Sequence, residues 1–170
     1  VPLRWERVET GREAVTRYGT PLPAEAIASI RRNRLALKAR IVAPIGGAFE
    51  SPNVTLRKAL DLYANVRPVK NFPGRASRYP GLDLIIVREN TEGEYAGLEH
   101  QVVPGVVESI KITTKRACVR IARFAFALAA REQRRKVTAV HKANIMKRAD
   151  GLFLDCCRAV AAEHPGIEYQ

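Results

Sequence analysis

The chain has 170 residues, of which 46% are hydrophobic, enough apolar material for one sizeable core and a second small lobe. This composition excludes an intrinsically disordered chain, and no apolar run approaches the roughly 18 residues that a membrane-spanning helix needs. The net charge of +12 implies an anionic partner, either nucleic acid or a polycarboxylate substrate. The three cysteines lack the paired spacing of metal ligands and predict structural thiols.

Strands and helices alternate along the chain. In chain order the pattern predicts strand 3–8, helix 11–18, helix 24–32, strand 35–42, helix 53–63, strand 82–87, strand 106–113, helix 116–132, strand 137–140 and helix 145–163. A turn at residues 44–47 contains two glycines that let a ligand approach the backbone. Because strands separated by helices usually pair in parallel, we predict an α/β fold with a mainly parallel, three-layer sheet.

Several cations stand singly near the ends of predicted apolar elements. They are Arg57, Arg67, Arg88 and Lys142. A surface that follows a phosphate backbone does not need this arrangement, whereas a pocket for a small anion does. The sequence also lacks the interleaved aromatic residues on which nucleic-acid bases stack. A small anionic ligand is therefore favoured over nucleic acid.

The segment that begins at Ser51 predicts a helix N-terminus suited to a carboxylate. Ser51 and the following proline indicate an N-cap and a first helical turn, where free backbone N–H groups favour anions. Arg57 lies four residues after Asn53, on the same face of the predicted helix. The hydroxyl, the amide and the guanidinium could all reach one carboxylate. The alternative is an ordinary capped helix with a surface arginine.

Arg88, Tyr95 and Lys142 form a second group at the ends of predicted strands, where open α/β sheets bind ligands. A guanidinium there needs an anionic partner, which is either a ligand carboxylate or one of the neighbouring residues Glu89, Glu92 and Glu94. A phenol beside cations can serve as a proton donor, and a lysine near other cations suits acid/base work on a hydroxyl. The alternatives are a tyrosine that caps a loop and a solvated lysine.

Four segments carry a specific resemblance to a known family. They read SPNVTLR at residues 51–57, DLYANVRP at 61–68, VRENTEGEY at 87–95 and VHKANIMK at 140–147. Over essentially its whole length the chain resembles the isocitrate dehydrogenases, within the isocitrate/isopropylmalate β-decarboxylating dehydrogenase family. DGLF at residues 150–153 resembles the NAD-dependent branch in particular.

The resemblance implies oxidative decarboxylation of isocitrate to 2-oxoglutarate with NAD, NADP remaining an alternative. It implies that the substrate-binding residues are Ser51, Asn53, Arg57, Arg67 and Arg88, and that the catalytic pair is Tyr95 and Lys142. Asn53 would also lie near the nicotinamide, so it is the one cofactor-binding residue that we predict. Lys142 would act across a dimer interface. Mg or Mn would take part, with its ligands outside this segment.

The resemblance also implies an architecture and partners. Residues 1–62 would form part of the large, cofactor-side domain, and residues 63–170 most of a small substrate and dimerisation domain. A β arm within residues 95–112 would build the dimer interface. We expect a homodimer or a hetero-oligomer, with no nucleic acid and no membrane partner. We expect a cytoplasmic location, with the mitochondrial matrix as the alternative.

Three features of the family pattern are not found in this sequence. The glycine-rich opening motif, the metal-binding aspartates and the adenosine-binding loop are missing, so we expect a fragment that is inactive alone. A non-catalytic regulatory subunit is one alternative function, and a dehydrogenase acting on isopropylmalate, homoisocitrate or tartrate is another. The hydroxyl of Ser51 and the amide of Asn53 favour a third carboxylate over an isopropyl group.

Overall fold

The computed structural model describes residues 2–39, 41 and 51–170 of the chain. The chain divides into two compact units, Val1–Leu62 and Tyr63–Gln170. The assignment of these units to a cofactor-side domain and to a substrate and dimerisation domain stays a prediction. In the described ranges, no helix combines the length and the apolar character that crossing a membrane requires.

The first unit contains three short helices. They are α1 (Arg12–Tyr18), α2 (Ala24–Asn33) and α3 (Pro52–Ala59). Helix α1 ends at Gly19, whose left-handed conformation (φ 70°) is one that glycine adopts without strain. Leu22, Ala26 and Leu56 are buried together and join α2 to α3. This apolar cluster fixes the helix on which Ser51, Asn53 and Arg57 were predicted to act.

Two strands predicted in this unit do not form in the residues that the structure describes. Residues 3–8 have no regular structure, and neither do residues 35–39 and 41. Leu35 and Leu37 are 76% and 83% exposed, so the apolar side chains that predicted a strand are not buried against a core. A strand also needs a neighbouring backbone to pair with, and these segments have none in the described ranges. The predicted turn at residues 44–47 lies outside those ranges.

The second unit contains two helices and three strand pairs. Its elements are β1 (Ala64–Lys70), β2 (Asp83–Glu89), β3 (Gly93–Val103), β4 (Val106–Ile112), α4 (Lys115–Arg131), β5 (Lys136–Val137), α5 (Ala149–Ala162) and β6 (Glu168–Tyr169). Strand β1 pairs antiparallel with β2, β3 antiparallel with β4, and β5 parallel with β6. The β3–β4 hairpin falls on the predicted β arm, whose role in dimerisation stays a prediction.

The core of the second unit lies between α4 and α5. Phe126 and Val160 are each 1% exposed and pack with Cys157, and the Phe126 ring stacks on His164 with centroids 5.1 Å apart. Helix α4 begins at Thr114, whose hydroxyl oxygen accepts the Ala117 N–H at 3.2 Å. This cap satisfies one of the backbone donors that a helix start leaves unpaired.

The predicted α/β class is confirmed, but the mainly parallel, three-layer sheet is not found in residues 63–170. Two of the three strand pairs there are antiparallel. The sequence analysis missed β1 because Pro68 lacks the N–H that a strand interior donates. Pro68 is tolerated because β1 pairs with β2 alone among the described strands, so its other edge carries no ladder.

Candidate functional site

The β1–β2 ribbon brings two of the predicted clamp arginines together. Arg88 lies opposite Asn65, and Arg67, two residues further along β1, lies opposite Ile86. Because alternate residues of a strand share a face, Arg67 and Arg88 are diagonal neighbours on one face of the ribbon. Arg67 Nε donates to Asn65 Oδ1 at 2.9 Å, which steadies its guanidinium on that face. Both arginines are exposed.

Tyr95 stands beside the second of these arginines. The Arg88 guanidinium carbon lies 5.0 Å from the centre of the Tyr95 ring, a cation–π contact. Both residues line a cavity of about 230 Å³, which also meets Lys111, Val140 and Asp150. A cation–π contact at an exposed site contributes about 0.5–1 kcal/mol, which favours keeping these two side chains together in the cavity.

Two glutamates fix the turn that connects Arg88 to Tyr95. Glu89 accepts the backbone N–H groups of Thr91 and Glu92 at 2.9 and 2.8 Å. Glu92 in turn accepts the N–H and the hydroxyl of Thr114, at 3.0 and 2.7 Å. Together with Glu94, these carboxylates were the alternative partners for Arg88, yet within residues 63–170 none of the three forms an ion pair with it. Glu89 instead lies 4.0 Å from Arg120. A ligand carboxylate as the partner of Arg88 stays a prediction.

Lys142 lies in the turn that leads from β5 to α5. Its backbone N–H donates to Asp150 Oδ2 at 2.7 Å, and its carbonyl accepts the N–H groups of Ile145 and Met146 at 3.0 and 2.9 Å. The residue is exposed. Its neighbour Val140 lines the same cavity as Arg88 and Tyr95, so the Lys142 turn borders that cavity.

Asp150 and Lys111 also line this cavity, and neither was predicted from the sequence. Asp150 is 7% exposed, and Lys111 Nζ donates to its Oδ1 at 2.8 Å. The Lys111 ammonium is the main reason that the pKa of Asp150 lies below its usual range, and the Lys142 N–H adds to the effect. One sequence feature could have predicted Asp150: it is an acidic residue in the first turn of a largely apolar helix, eight residues after Lys142.

The other three predicted residues lie together on α3 in the first unit. Ser51 occupies the N-cap position, but its hydroxyl makes no capping hydrogen bond, contrary to the simplest form of the prediction. Asn53 Nδ2 donates to the Ile41 carbonyl at 3.5 Å, whereas Asn53 Oδ1 is buried with no hydrogen-bond partner among the described residues. Arg57 is half-buried one turn further along. The structure thus gathers the predicted residues into two groups, and their union into one pocket stays a prediction.

The described residues offer no metal site. Within residues 2–39, 41 and 51–170, no three His, Cys, Asp or Glu side chains are grouped so that they could hold a metal ion. The donor set present here does not fit a divalent cation, and we derive no chemical step through one.

Comparison with known proteins shows the family to which this chain belongs. The model of the isocitrate/isopropylmalate dehydrogenases matches residues 1–170, and the chain belongs to that family. It is 53% identical over 170 residues to NAD isocitrate dehydrogenase catalytic subunit 5, mitochondrial, of Arabidopsis thaliana, covering all of this chain and 46% of that protein. It is 52% identical over 170 residues to the chloroplastic 3-isopropylmalate dehydrogenase of Solanum tuberosum, covering all of this chain and 48% of that protein.

Regulatory subunits and a solved structure match as well. Regulatory subunit 1 of the Arabidopsis thaliana NAD isocitrate dehydrogenase is 55% identical over 148 residues, 87% of this chain and 40% of that protein. The crystal structure of isocitrate dehydrogenase from Methylococcus capsulatus superposes with a TM-score of 0.93 at 47% identity, covering 99% of this chain and 51% of that one. The chain therefore spans about half the length of the relatives it matches. The expected cytoplasmic location gains no support from relatives named as mitochondrial or chloroplastic.

Proposed function

We propose that the whole protein containing this chain oxidises and decarboxylates isocitrate to 2-oxoglutarate with NAD, and that this chain supplies much of the substrate site. The observation that carries the proposal is the stacking of Arg88 on Tyr95 in one cavity, with Arg67 on the same face of the ribbon. Two adjacent cations suit a ligand with more than one carboxylate, because charge-assisted hydrogen bonds to a guanidinium are strong.

The choice between isocitrate and isopropylmalate rests on α3. Relatives named for the two substrates are 53% and 52% identical to this chain, so overall similarity does not separate them. Ser51 is exposed at the start of α3, and its hydroxyl can donate to a carboxylate. The Nδ2 of Asn53 carries a second N–H besides the one that donates to the Ile41 carbonyl at 3.5 Å. A hydroxyl and an amide complement a third carboxylate, whereas an isopropyl group beside them would leave polar groups unpaired.

Asn53 is also the residue that fits the cofactor. Its Oδ1 is buried and has no hydrogen-bond partner among the described residues, and the carboxamide of a nicotinamide carries a donor. When bound, the nicotinamide would accept the hydride from the hydroxyl-bearing carbon of the substrate. The NAD-dependent relatives favour NAD, and NADP remains the alternative.

Lys142 and Tyr95 would move the protons of the reaction. The Lys142 amine would take the proton of the substrate hydroxyl as that carbon is oxidised, from a turn whose backbone is fixed at both its N–H and its carbonyl. The Tyr95 hydroxyl would protonate the enolate left after carbon dioxide departs. Arg67 and Arg88 would hold the remaining carboxylates during both steps.

A substrate panel on the full-length protein tests the proposal. We expect NAD reduction with isocitrate and little or none with isopropylmalate, homoisocitrate or tartrate. Preference for isopropylmalate would refute the substrate assignment. Ser51→Ala should raise KM for isocitrate, because it removes the hydroxyl predicted to bind the third carboxylate, and Ser77→Ala in an exposed loop is the matched control.

The second candidate is a regulatory subunit, because relatives with that name are 55% identical to this chain. Tyr95 and Lys142 are both present in this chain, which favours a catalytic subunit, since the chemistry needs both groups. Lys142→Met in the complete protein separates the two functions. We expect turnover to fall strongly while isocitrate affinity stays close to wild type. Unchanged turnover would indicate a regulatory subunit.

We propose that the β3–β4 hairpin joins this chain to a second copy or to a related subunit. Several of its large apolar side chains are about half or more exposed: Leu98, Val102, Val103, Val106 and Val107. An apolar patch of this kind on a hairpin indicates a protein interface. Relatives named as catalytic and regulatory subunits support a hetero-oligomer as one of the two forms. A charged residue in place of Val107 should weaken association in sedimentation measurements.

Complementation tests whether Lys142 acts across that interface. If Tyr95 and Lys142 of one site come from different subunits, mixing the inactive Tyr95→Phe and Lys142→Met proteins restores one intact site in each mixed dimer. Random exchange between two-fold symmetric dimers then yields about a quarter of wild-type activity. If both residues come from one subunit, no mixed dimer contains an intact site and activity stays at the level of the single variants.

The mitochondrial matrix is the compartment that we propose, because relatives named as mitochondrial isocitrate dehydrogenases match over the whole chain. Fractionation of the source cells, with an antibody raised against this chain, would decide between the matrix and the cytoplasm.

A further inference from the structure

The side chain of Asp150 connects two segments that are far apart in sequence. Asp150 lies in the first turn of α5 and is 7% exposed. One carboxylate oxygen accepts Lys111 Nζ at 2.8 Å, and the other accepts the backbone N–H of Lys142 at 2.7 Å. Lys111 belongs to the last part of β4, at the base of the β3–β4 hairpin. A single buried carboxylate therefore joins the hairpin to the Lys142 turn.

These contacts determine how Lys142 is presented. A carboxylate this buried keeps its charge only with strong partners, and the Lys111 ammonium supplies the opposite charge. The second oxygen is then left for the Lys142 N–H, while the Lys142 carbonyl is held by Ile145 and Met146. With both backbone groups held, the direction of the Cα–Cβ bond from which the exposed side chain starts is held as well.

We propose that Asp150 is a positioning residue that holds the Lys142 turn in register with the base of the β3–β4 hairpin. The inference rests on the proposed function in one respect, namely that Lys142 acts on the substrate. It goes beyond that function by assigning the placement of the Lys142 turn to Asp150, which acts through the Lys142 backbone N–H. Catalysis requires a group to be placed within a fraction of an ångström. Loss of this carboxylate should therefore lower kcat more than it changes the KM for isocitrate.

The test compares two aspartates of the same helix in the full-length protein. Asp150→Ala removes the buried carboxylate, and Asp155→Ala removes one that is 76% exposed and lies 3.7 Å from Arg158. The first readout is the separate change in kcat and in KM for isocitrate. The second, which needs no substrate, is hydrogen exchange at the Lys142 amide.

We expect Asp150→Ala to lower kcat by about 10- to 100-fold with KM changed less than about 3-fold, since misplacement of a catalytic group has effects of this size. We expect the Lys142 amide to exchange at least about tenfold faster, because its acceptor is gone. Asp155→Ala should leave both readouts at wild-type values. Lys111→Met should move both in the same direction, because it leaves the Asp150 carboxylate without its charged partner.

An unchanged exchange rate at Lys142 would overturn the inference, even if kcat or the melting temperature fell, because the effect would then be a general loss of structure. If Asp150→Ala does not fold, the isosteric Asp150→Asn and Lys111→Met variants decide by the same criteria. A wild-type protein that is inactive on isocitrate refutes the proposed function instead. The exchange measurement still decides whether Asp150 holds the turn.

Discussion

The contact between Arg88 and Tyr95 allows the two roles of the tyrosine to be separated. Tyr95→Phe keeps the ring beside the guanidinium, 5.0 Å away in the wild type, and removes only the hydroxyl. Because a positioned proton donor contributes about 10²- to 10⁴-fold, kcat should fall by that factor. The KM for isocitrate should change less than about 2-fold, since the cation–π contact survives.

Tyr95→Leu removes the ring as well as the hydroxyl. Loss of about 0.5–1 kcal/mol of cation–π energy corresponds to about 2- to 5-fold in affinity, so this variant should show the same fall in kcat and a higher KM. The assay is NADH formation in the full-length protein over a range of isocitrate concentrations. Tyr79→Phe is the matched control, because this exposed tyrosine also lies beside an arginine, Arg78, at 5.7 Å.

Two results would refute this reasoning. Wild-type kcat in Tyr95→Phe would show that the hydroxyl is not used in the rate-limiting chemistry. Equal KM values in the Phe and Leu variants would show that the ring does not orient Arg88 toward the substrate.

Three further predictions concern stability and reactivity. Thr114→Ala should lower the free energy of unfolding by about 1–2 kcal/mol in urea titrations, because the cap of α4 is lost, while Thr114→Ser should retain most of it. Burial raises the pKa of Cys118 to about 12 and that of Cys157 to about 11, so neither thiol should react with Ellman's reagent at neutral pH until the protein unfolds. Rapid labelling of the native protein would contradict their burial. Phe126→Ala should lower stability by about 3–5 kcal/mol, whereas Phe72→Ala, 81% exposed in the wild type, should change it by less than about 0.5 kcal/mol. Similar thermal shifts in both variants would show that Phe126 is not the centre of the core.

The sequence predicted the long helices well because their signals are local. Buried residues of α4 recur at spacings of three and four, and Thr114 is a preferred N-cap residue directly before the helix. Arg88 and Tyr95 could likewise be anticipated as neighbours, since only a short turn separates the end of β2 from Tyr95. In each case the residues that carry the signal lie close together in the sequence.

The failures concern pairings that the local pattern does not contain. Residues 3–8 have an apolar pattern typical of a strand, but a pattern does not supply the partner backbone. Pro68 pointed away from a strand, although β1 tolerates it on an unpaired edge. Lys111 and Asp150 are 39 residues apart, so no spacing rule connects them, and only the packing of the second unit brings their charges to 2.8 Å.

The β3–β4 hairpin has a consequence for how this protein must be handled. A ribbon of two strands is marginally stable at best in water, and this one turns at Gly105 with valines exposed on both sides of the turn. Whether the hairpin is folded would then depend on the subunit that packs against it. Folding of the hairpin and assembly of the subunits would form one equilibrium, which depends on protein concentration. We therefore expect dilution to expose the hairpin tip to proteases. Preparations at nanomolar and micromolar concentration should accordingly differ in the populations of folded hairpin they contain.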